Sequence, residues 1–130
     1  MVEQKLGFVL LFVENPQQSG VFYQELLGLA PVQNSPTFVM FMLKNGVALG
    51  LWSRHTAEPA VSLIGGGSEI CFPADDVDAV YNTWQQKGIP IIQKPTDMDF
   101  GRTFVAVDPD GHRIRVYRLN EGTSKQPYRQ

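Results

Sequence analysis

The sequence predicts an α+β fold made of two βαβββ modules, and two repeated features carry this prediction. An apolar strand that ends at an acidic or amide residue and leads into a helix occurs twice, at residues 8–15 and about 60 residues later at 69–76. Each copy is followed by a pair of strands around a turn signal, Asn45-Gly46 in the first half and Asp110-Gly111 in the second. A duplicated module places equivalent residues around a shared cavity, so the repeat indicates where a site should lie.

The elements of the first half follow from local signals. Residues 6–13 form a continuous apolar run, which predicts a strand. Asn15 is suited to cap a helix with Pro16 in its first turn, and Gly28 is suited to end it. Residues 37–43 and 47–52 predict two strands joined at Asn45-Gly46. The polar stretch 53–67, which contains three consecutive glycines, predicts the connection between the halves.

The second half repeats this order. Residues 69–73 predict a strand, and Asp76 caps a helix that runs to Lys87 and stops at Gly88. A short strand at 89–93, a loop at 94–101, and strands at 102–107 and 113–119 complete the prediction. We therefore expect a single domain over residues 1–120, with repeats at about 5–54 and 66–119, and a polar tail at 121–130.

Composition limits the classes of function. The chain has 130 residues, 43% of them hydrophobic, which is enough for one domain with a core. Its net charge is −2 with scattered Lys and Arg, so no nucleic-acid partner is expected. No apolar run approaches the roughly 20 residues that span a bilayer, and no secretory leader is recognised. The single cysteine, Cys71, indicates a reducing compartment, hence a cytoplasmic protein, and we expect this residue to be buried in its strand.

Four motifs, in this order and at this spacing, resemble those of the vicinal oxygen chelate superfamily. They are Val13-Glu14-Asn15, Phe22-Tyr23 with Leu27-Gly28-Leu29, Ala74-Asp75-Asp76-Val77-Asp78, and Asp108-Pro109-Asp110-Gly111. This family includes glyoxalase I, extradiol dioxygenases, fosfomycin-modifying enzymes and bleomycin-resistance proteins. The resemblance extends to about Leu119. It implies a glyoxalase/bleomycin-resistance-like open barrel and a symmetric homodimer with pockets near the interface.

The resemblance also implies where a metal would bind. In metal-dependent members four strand residues hold a divalent ion, and these positions fall at Phe8, Gly50, Glu69 and Arg115. Phe8 and Gly50 offer no ligand, and Arg115 is a permanent cation. Glu69 alone cannot hold an ion that needs several donors. A shift of the register by one residue rebuilds no site. We therefore predict no metal and no cofactor.

Strand alternation predicts what the cavity offers instead. Phe8, Gly50 and Arg115 imply that the following residues share their faces: Leu10, Phe12, Ala48, Trp52, Arg113 and Tyr117. Aromatic rings beside one carboxylate and guanidinium groups suit a planar, partly polar ligand, with space next to Trp52 because Gly50 lacks a side chain. Two alternatives stay open. Trp52 could be a core or dimer-interface residue, and Glu69 with Arg115 could be an ion pair that closes the empty metal site.

Residues 99–102, Asp99-Phe100-Gly101-Arg102, resemble the loop that borders the drug pocket in bleomycin- and mitomycin-resistance proteins. The resemblance implies a second stacking ring at Phe100 and an edge residue at Arg102. Alternatively, Phe100 packs on its own domain. The candidate ligand-binding residues are Trp52, Phe100, Glu69, Arg115, Phe8, Gly50, Arg102 and Tyr117, and no catalytic residue is predicted.

These observations favour a metal-free resistance protein that sequesters a planar aromatic antibiotic. The resemblance is to the phenazine-resistance type, although bleomycin-like, mitomycin and quinone ligands are not distinguished. One alternative is a glyoxalase-type lyase, isomerase or dioxygenase, which needs a metal. Another is a metal-free enzyme in which desolvated Glu69 acts as general base with a raised pKa. Metal analysis, and recovery of the ligand intact or altered, separate these functions.

Overall fold

A computed structural model describes residues 3–121 and confirms the predicted α+β class with two βαβββ modules. The chain divides into two compact units between Gly65 and Gly66. Each unit contains one four-stranded sheet and one helix. Within residues 3–121, neither helix combines the length and the apolar character that a membrane crossing requires. Most of the predicted polar tail, residues 122–130, lies outside the described residues.

The N-terminal unit has one sheet in the order β1-β4-β3-β2. Its elements are β1 (Phe8–Val13), α1 (Pro16–Leu27), β2 (Gln33–Asn34), β3 (Phe38–Met42) and β4 (Ala48–Ser53). β1 runs parallel to β4, and the other neighbours are antiparallel. The sequence did not predict β2, because two exposed polar residues carry no apolar alternation.

The predicted helix ends are confirmed in this unit. The Asn15 side chain accepts hydrogen bonds from the backbone N–H groups of Gln17 and Gln18, and Pro16 occupies the first turn. Gly28 ends the helix in the left-handed conformation, with φ at 72°. The helix buries Tyr23 and Leu26 on one side of the sheet. The residues of the sheet that are buried on that side are Leu11, Val13, Val39, Phe41, Leu49 and Leu51.

The C-terminal unit repeats this plan, with the sheet order β5-β8-β7-β6. Its elements are β5 (Glu69–Pro73), α2 (Val77–Gln86), β6 (Ile91–Met98), β7 (Gly101–Val107) and β8 (Arg113–Leu119). Asp76 caps α2 by accepting a hydrogen bond from the backbone N–H of Ala79, as predicted. Trp84 and Tyr81 of α2 pack edge-on against Phe104 of β7, so this side of the sheet is covered by the helix.

The structure corrects two predictions in this unit. The predicted loop at 94–101 is wrong, because β6 continues to Met98 and only Asp99 and Phe100 form the turn to β7. Pro95 lies within β6 on an edge strand where the register shifts between Gln93 and Thr96, and both features tolerate proline. The expected burial of Cys71 is also wrong. Cys71 is exposed because β5 is an edge strand and this side chain points away from the helix.

Candidate functional site

The side of the N-terminal sheet that faces away from α1 is lined with apolar and aromatic side chains. We call this surface the aromatic face, and it comprises Phe8, Leu10, Phe12, Phe38, Met40 and Trp52. The register explains the grouping, because Phe12 and Phe38 both pair with Trp52 across their strands. The Phe12 and Trp52 ring centroids lie 6.0 Å apart, and those of Phe8 and Phe38 lie 6.3 Å apart. Phe8 and Leu10 are 42% and 41% exposed, so the face remains accessible in the single chain.

Gly50 lies at the centre of the aromatic face, and the structure corrects what the sequence predicted for it. A Cβ added at Gly50 would come within 2.7 Å of Phe8 Cε1, 2.9 Å of Leu10 Cδ2 and 3.0 Å of Phe38 Cζ. The space expected beside Trp52 is therefore filled by the ends of these side chains. Such ends rotate between staggered conformations, so a ligand can displace them more readily than backbone.

The side of the C-terminal sheet that faces away from α2 is polar instead. We call it the polar face. Its polar residues are Glu69, Cys71, Thr103, Arg113, Arg115 and Tyr117, and the register places Val105 and Val107 of β7 among them. Both units therefore bury one sheet face under a helix and leave the other without a helix. The two uncovered faces differ in their side chains: the N-terminal face carries mainly aromatic rings, and the C-terminal face carries charged groups.

A three-residue ion cluster occupies the polar face. Arg115 binds Glu69 through two hydrogen bonds, Nε to Oε1 at 2.7 Å and Nη2 to Oε2 at 3.0 Å, and its Nη1 donates to Thr103 Oγ1 at 3.1 Å. Arg113 Nη2 lies 2.6 Å from Glu69 Oε2. The Glu69 and Arg115 side chains are 23% and 18% exposed. An ion pair between Glu69 and Arg115, one of the two interpretations left open by the sequence, is thus present.

The ion cluster determines the protonation state of Glu69. The hydrogen bond from Arg115 lowers the pKa of the Glu69 carboxyl below its ordinary value, and Arg113 adds to this effect while partial burial opposes it. Glu69 is therefore ionised at neutral pH. The general-base alternative requires a raised pKa, which this environment does not produce.

Two further groups of the polar face lie close to the cluster. Cys71 pairs with Arg115 in the register. Although Cys71 is exposed at the sheet edge, partial desolvation raises the pKa of its thiol, the Glu69 charge raises it further, and the Arg115 charge opposes the increase. Tyr117 borders an open cleft of about 530 Å³ at the carboxyl ends of β5 and β8. The cleft is lined by Pro73, Ala74, Asp75, Tyr117, Arg118 and Leu119.

Arg102 and Phe100 lie apart from the polar face. Arg102 alternates with Thr103 along β7 and points to the helix side, where it binds Asp78 of α2 and Asp97 of β6, each at 2.9 Å. The hydrogen bond from Arg102 lowers the pKa of Asp78, and the hydrogen bonds to Asp78 and Asp97 raise the pKa of Arg102. Phe100 is half-buried in the turn, and its carbonyl accepts a hydrogen bond from the Asn120 N–H at 2.8 Å.

Sequence reasoning missed Phe38, Met40 and the contacts of Arg113. Phe38 and Met40 could have been found from the hairpin at Asn45-Gly46, since its register pairs Phe38 with Trp52 and Met40 with Gly50. Arg113 was placed on the correct face by alternation, but its distance from Glu69 depends on the parallel pairing of β5 and β8. That pairing joins segments far apart in the chain and leaves no local signal.

The structure shows no candidate metal centre in residues 3–121. These residues contain no group of three or more His, Cys, Asp or Glu side chains that could hold an ion. His55 contacts a single carboxylate, with Nε2 2.7 Å from Glu14 Oε2. This His55 contact lowers the pKa of Glu14. The absence of a metal from the protein in solution stays a prediction.

Comparison with known proteins identifies the family. Residues 5–116 match the model of the Glyoxalase/Bleomycin resistance protein/Dioxygenase superfamily. The chain is 37% identical over 117 residues to the phenazine antibiotic resistance protein EhpR of Enterobacter agglomerans, covering 85% of this chain and 89% of that protein. The solution structure of protein ATC0852 from Agrobacterium tumefaciens is 47% identical, with a TM-score of 0.81, and the match covers 91% of this chain and 99% of that one. The antibiotic binding protein TnmS3 from Streptomyces shares the fold, with a TM-score of 0.72 at 23% identity over 92% of this chain and 99% of that one. The chain belongs to the Glyoxalase/Bleomycin resistance protein/Dioxygenase superfamily.

Proposed function

We propose that this protein confers antibiotic resistance by binding a planar aromatic drug of the phenazine type and holding it without chemical change. The aromatic face of the N-terminal sheet is the observation that carries the proposal. It offers Trp52, Phe12 and Phe8 on a partly exposed apolar surface, which is the chemistry that fused rings bind. The 37% identity to a phenazine antibiotic resistance protein supports the same ligand class.

The other candidate residues have different parts in the proposal. Gly50 allows Phe8 to lie close to the N-terminal sheet. On the C-terminal unit, considered by itself, we propose Glu69, Arg115 and Tyr117 of the polar face as polar ligand contacts and Phe100 as an aromatic one. Arg102 connects the strands beside the Phe100 turn to α2 through Asp78 and Asp97. We further propose that the protein acts in the cytoplasm, for which the single cysteine is the supporting observation.

Substitution of Trp52 tests the proposal. An aromatic contact contributes about 0.5–1.5 kcal/mol beyond its buried area, and burial of a large ring adds roughly 2 kcal/mol. Trp52→Ala should therefore weaken binding of a phenazine by roughly ten- to a few-hundredfold, measured by calorimetric titration. The experiment should be repeated in a Trp84→Phe background, where Trp52 is the one remaining tryptophan and its quenching by a stacked ligand can be followed.

Phe22→Ala is the matched control for this experiment. Phe22 is also an aromatic residue of the N-terminal unit, but it lies on α1 against Tyr23. Its loss should leave the affinity unchanged once folding has been verified by the melting temperature. Equal affinities of wild type and Trp52→Ala would place the ligand away from the aromatic face and refute the proposed site.

Elemental analysis and treatment with a chelator distinguish a drug-binding protein from a glyoxalase-type enzyme. Because Phe8, Gly50 and Arg115 deny three of the four ligand positions that the family resemblance implies, we expect no stoichiometric metal by elemental analysis. Chelator should change neither the melting temperature nor the affinity for the drug, and the drug should be recovered intact after incubation. One equivalent of zinc, nickel or iron per chain, or an altered drug, would favour the enzyme instead.

A further inference from the structure

We propose that the aromatic face contains a slot over Gly50 that the protein's own side chains close when no drug is bound. Phe8, Leu10 and Phe38 form this closure, which we call the plug, and a planar ring enters the slot when Phe8 moves aside. The inference rests on the proposed function, because it describes how the same face admits its ligand. It concerns the N-terminal unit alone.

The slot follows β4, because this strand carries small residues where both of its neighbours carry large ones. On the aromatic face β4 presents Ala48 and Gly50 before Trp52. The facing residues of the two flanking strands are Phe8 and Leu10 in β1 and Phe38 and Met40 in β3. The flanking strands lie roughly 10 Å apart across β4, since neighbouring strands are about 4.8 Å apart. The backbone therefore forms a trough that ends at Trp52.

The ends of flexible side chains occupy this trough. A Cβ added to Gly50 would lie 2.7 Å from Phe8 Cε1, 2.9 Å from Leu10 Cδ2 and 3.0 Å from Phe38 Cζ, its three nearest atoms outside the adjoining residues. None of the three is a backbone atom, and side-chain ends move by rotation between staggered conformations. The chain thus fills its own slot with groups that a ligand displaces.

Phe8 is the member of the plug that moves most freely. It is the first residue of the edge strand β1, which has a neighbour on only one side within its sheet. Phe8 is 42% exposed, and its ring contacts that of Phe38 at a centroid distance of 6.3 Å and an interplanar angle of 40°. A flat ring stacked between these two needs roughly 7 Å, at about 3.5 Å per contact. A small movement of Phe8 therefore opens a slot one ring thick, which selects a planar aromatic ligand.

Two substitutions with opposite expected effects test the inference, with phenazine as the probe in calorimetric titration. A plug lowers the apparent affinity in proportion to the fraction of molecules that are open. Leu10→Ala shortens the plug and keeps both ring walls, so phenazine should bind about three- to tenfold more tightly. Gly50→Ala places on the floor a methyl group that no rotation removes, so phenazine should bind at least about tenfold more weakly.

Leu63→Ala and Gly20→Ala are the matched controls. Leu63 is 81% exposed in the connection that follows β4. Gly20 lies in α1, where an added Cβ would meet Val39 on the helix side of the sheet. Both controls should bind phenazine as wild type does. The melting temperature reports the folding of each variant, and Leu10→Ala decides the question if Gly50→Ala does not fold.

An affinity of Leu10→Ala equal to or below that of wild type, or an unchanged affinity of folded Gly50→Ala, would overturn the inference. The proposed function would survive that result if Trp52→Ala still weakens binding. A shift of the dimer dissociation constant in sedimentation, with phenazine affinity unaltered, would also overturn the inference and assign the slot to a side chain of a second copy. Failure of wild type to bind phenazine would refute the proposed function and the inference together.

Discussion

Glu69 keeps its charge because two guanidinium groups surround it, and this gives the protein a specific response to acid. The folded pKa of Glu69 is lowered, mainly by the Arg115 hydrogen bond, relative to a reference value of 4.5. A carboxyl group of this kind contributes stability that is present above its unfolded pKa and is lost as the pH falls through its folded pKa. The free energy of unfolding should therefore decrease on acidification below about pH 4.5.

Glu69→Gln isolates this contribution. The variant should be less stable than wild type at neutral pH, because two arginines lose their shared partner, and it should lose less stability on acidification. Urea denaturation at a series of pH values measures both effects. Glu58→Gln, at an exposed loop position, is the control and should follow the wild-type curve. Coincident curves for wild type and Glu69→Gln would show that the ion cluster does not contribute to stability, and parallel but offset curves would show that ionisation of Glu69 does not account for the acid response.

Single residues were predictable where only strand alternation was needed. The family resemblance placed Phe8 and Arg115 on the cavity side of their strands, and alternation extended this side to Trp52; the observed register has all three on the sheet faces opposite the helices. Arg102 could not be placed in this way, because its partner Asp78 lies 24 residues earlier in the chain. Strand alternation also could not predict that side chains fill the space above Gly50, because one of them, Phe38, comes from a neighbouring strand.

At the scale of elements, both helix starts were predictable because their signals are local. Asn15 and Asp76 each accept backbone hydrogen bonds within three residues, so the sequence contains the complete capping motif. Strand ends depend on partners instead. β6 continues past Pro95 because β7 pairs with Thr96, Asp97 and Met98, and proline is acceptable at a shifted register on an edge.

The turn between β6 and β7 requires a glycine for a reason that the sequence alone does not reveal. A Cβ at Gly101 would collide with the carbonyl oxygen of Arg118, so only glycine fits after Phe100.

At the scale of the whole molecule, each sheet ends in edge strands, which favour assembly wherever they are left uncovered. β1 and β5 are edge strands, and an uncovered edge presents unpaired backbone groups that can pair with another chain. Large apolar side chains are also exposed in the single chain, among them Leu6 at 70% and Leu63 at 81%. Single exposed apolar residues are ordinary, but Phe8 and Leu10 are exposed side by side on the aromatic face, and an extended apolar patch of this kind favours contact with another chain.

We therefore expect a homodimer with two-fold symmetry, the commonest way for a chain to cover such surfaces. Sedimentation velocity across a dilution series should give twice the chain mass of 14.5 kDa at micromolar concentration. Addition of drug should not change this mass if assembly precedes binding. A monomer at every concentration would contradict the prediction. The exposed rings of the aromatic face would then have to be covered by the ligand alone, and the melting temperature should rise more steeply with drug than it would for a dimer that already covers part of them.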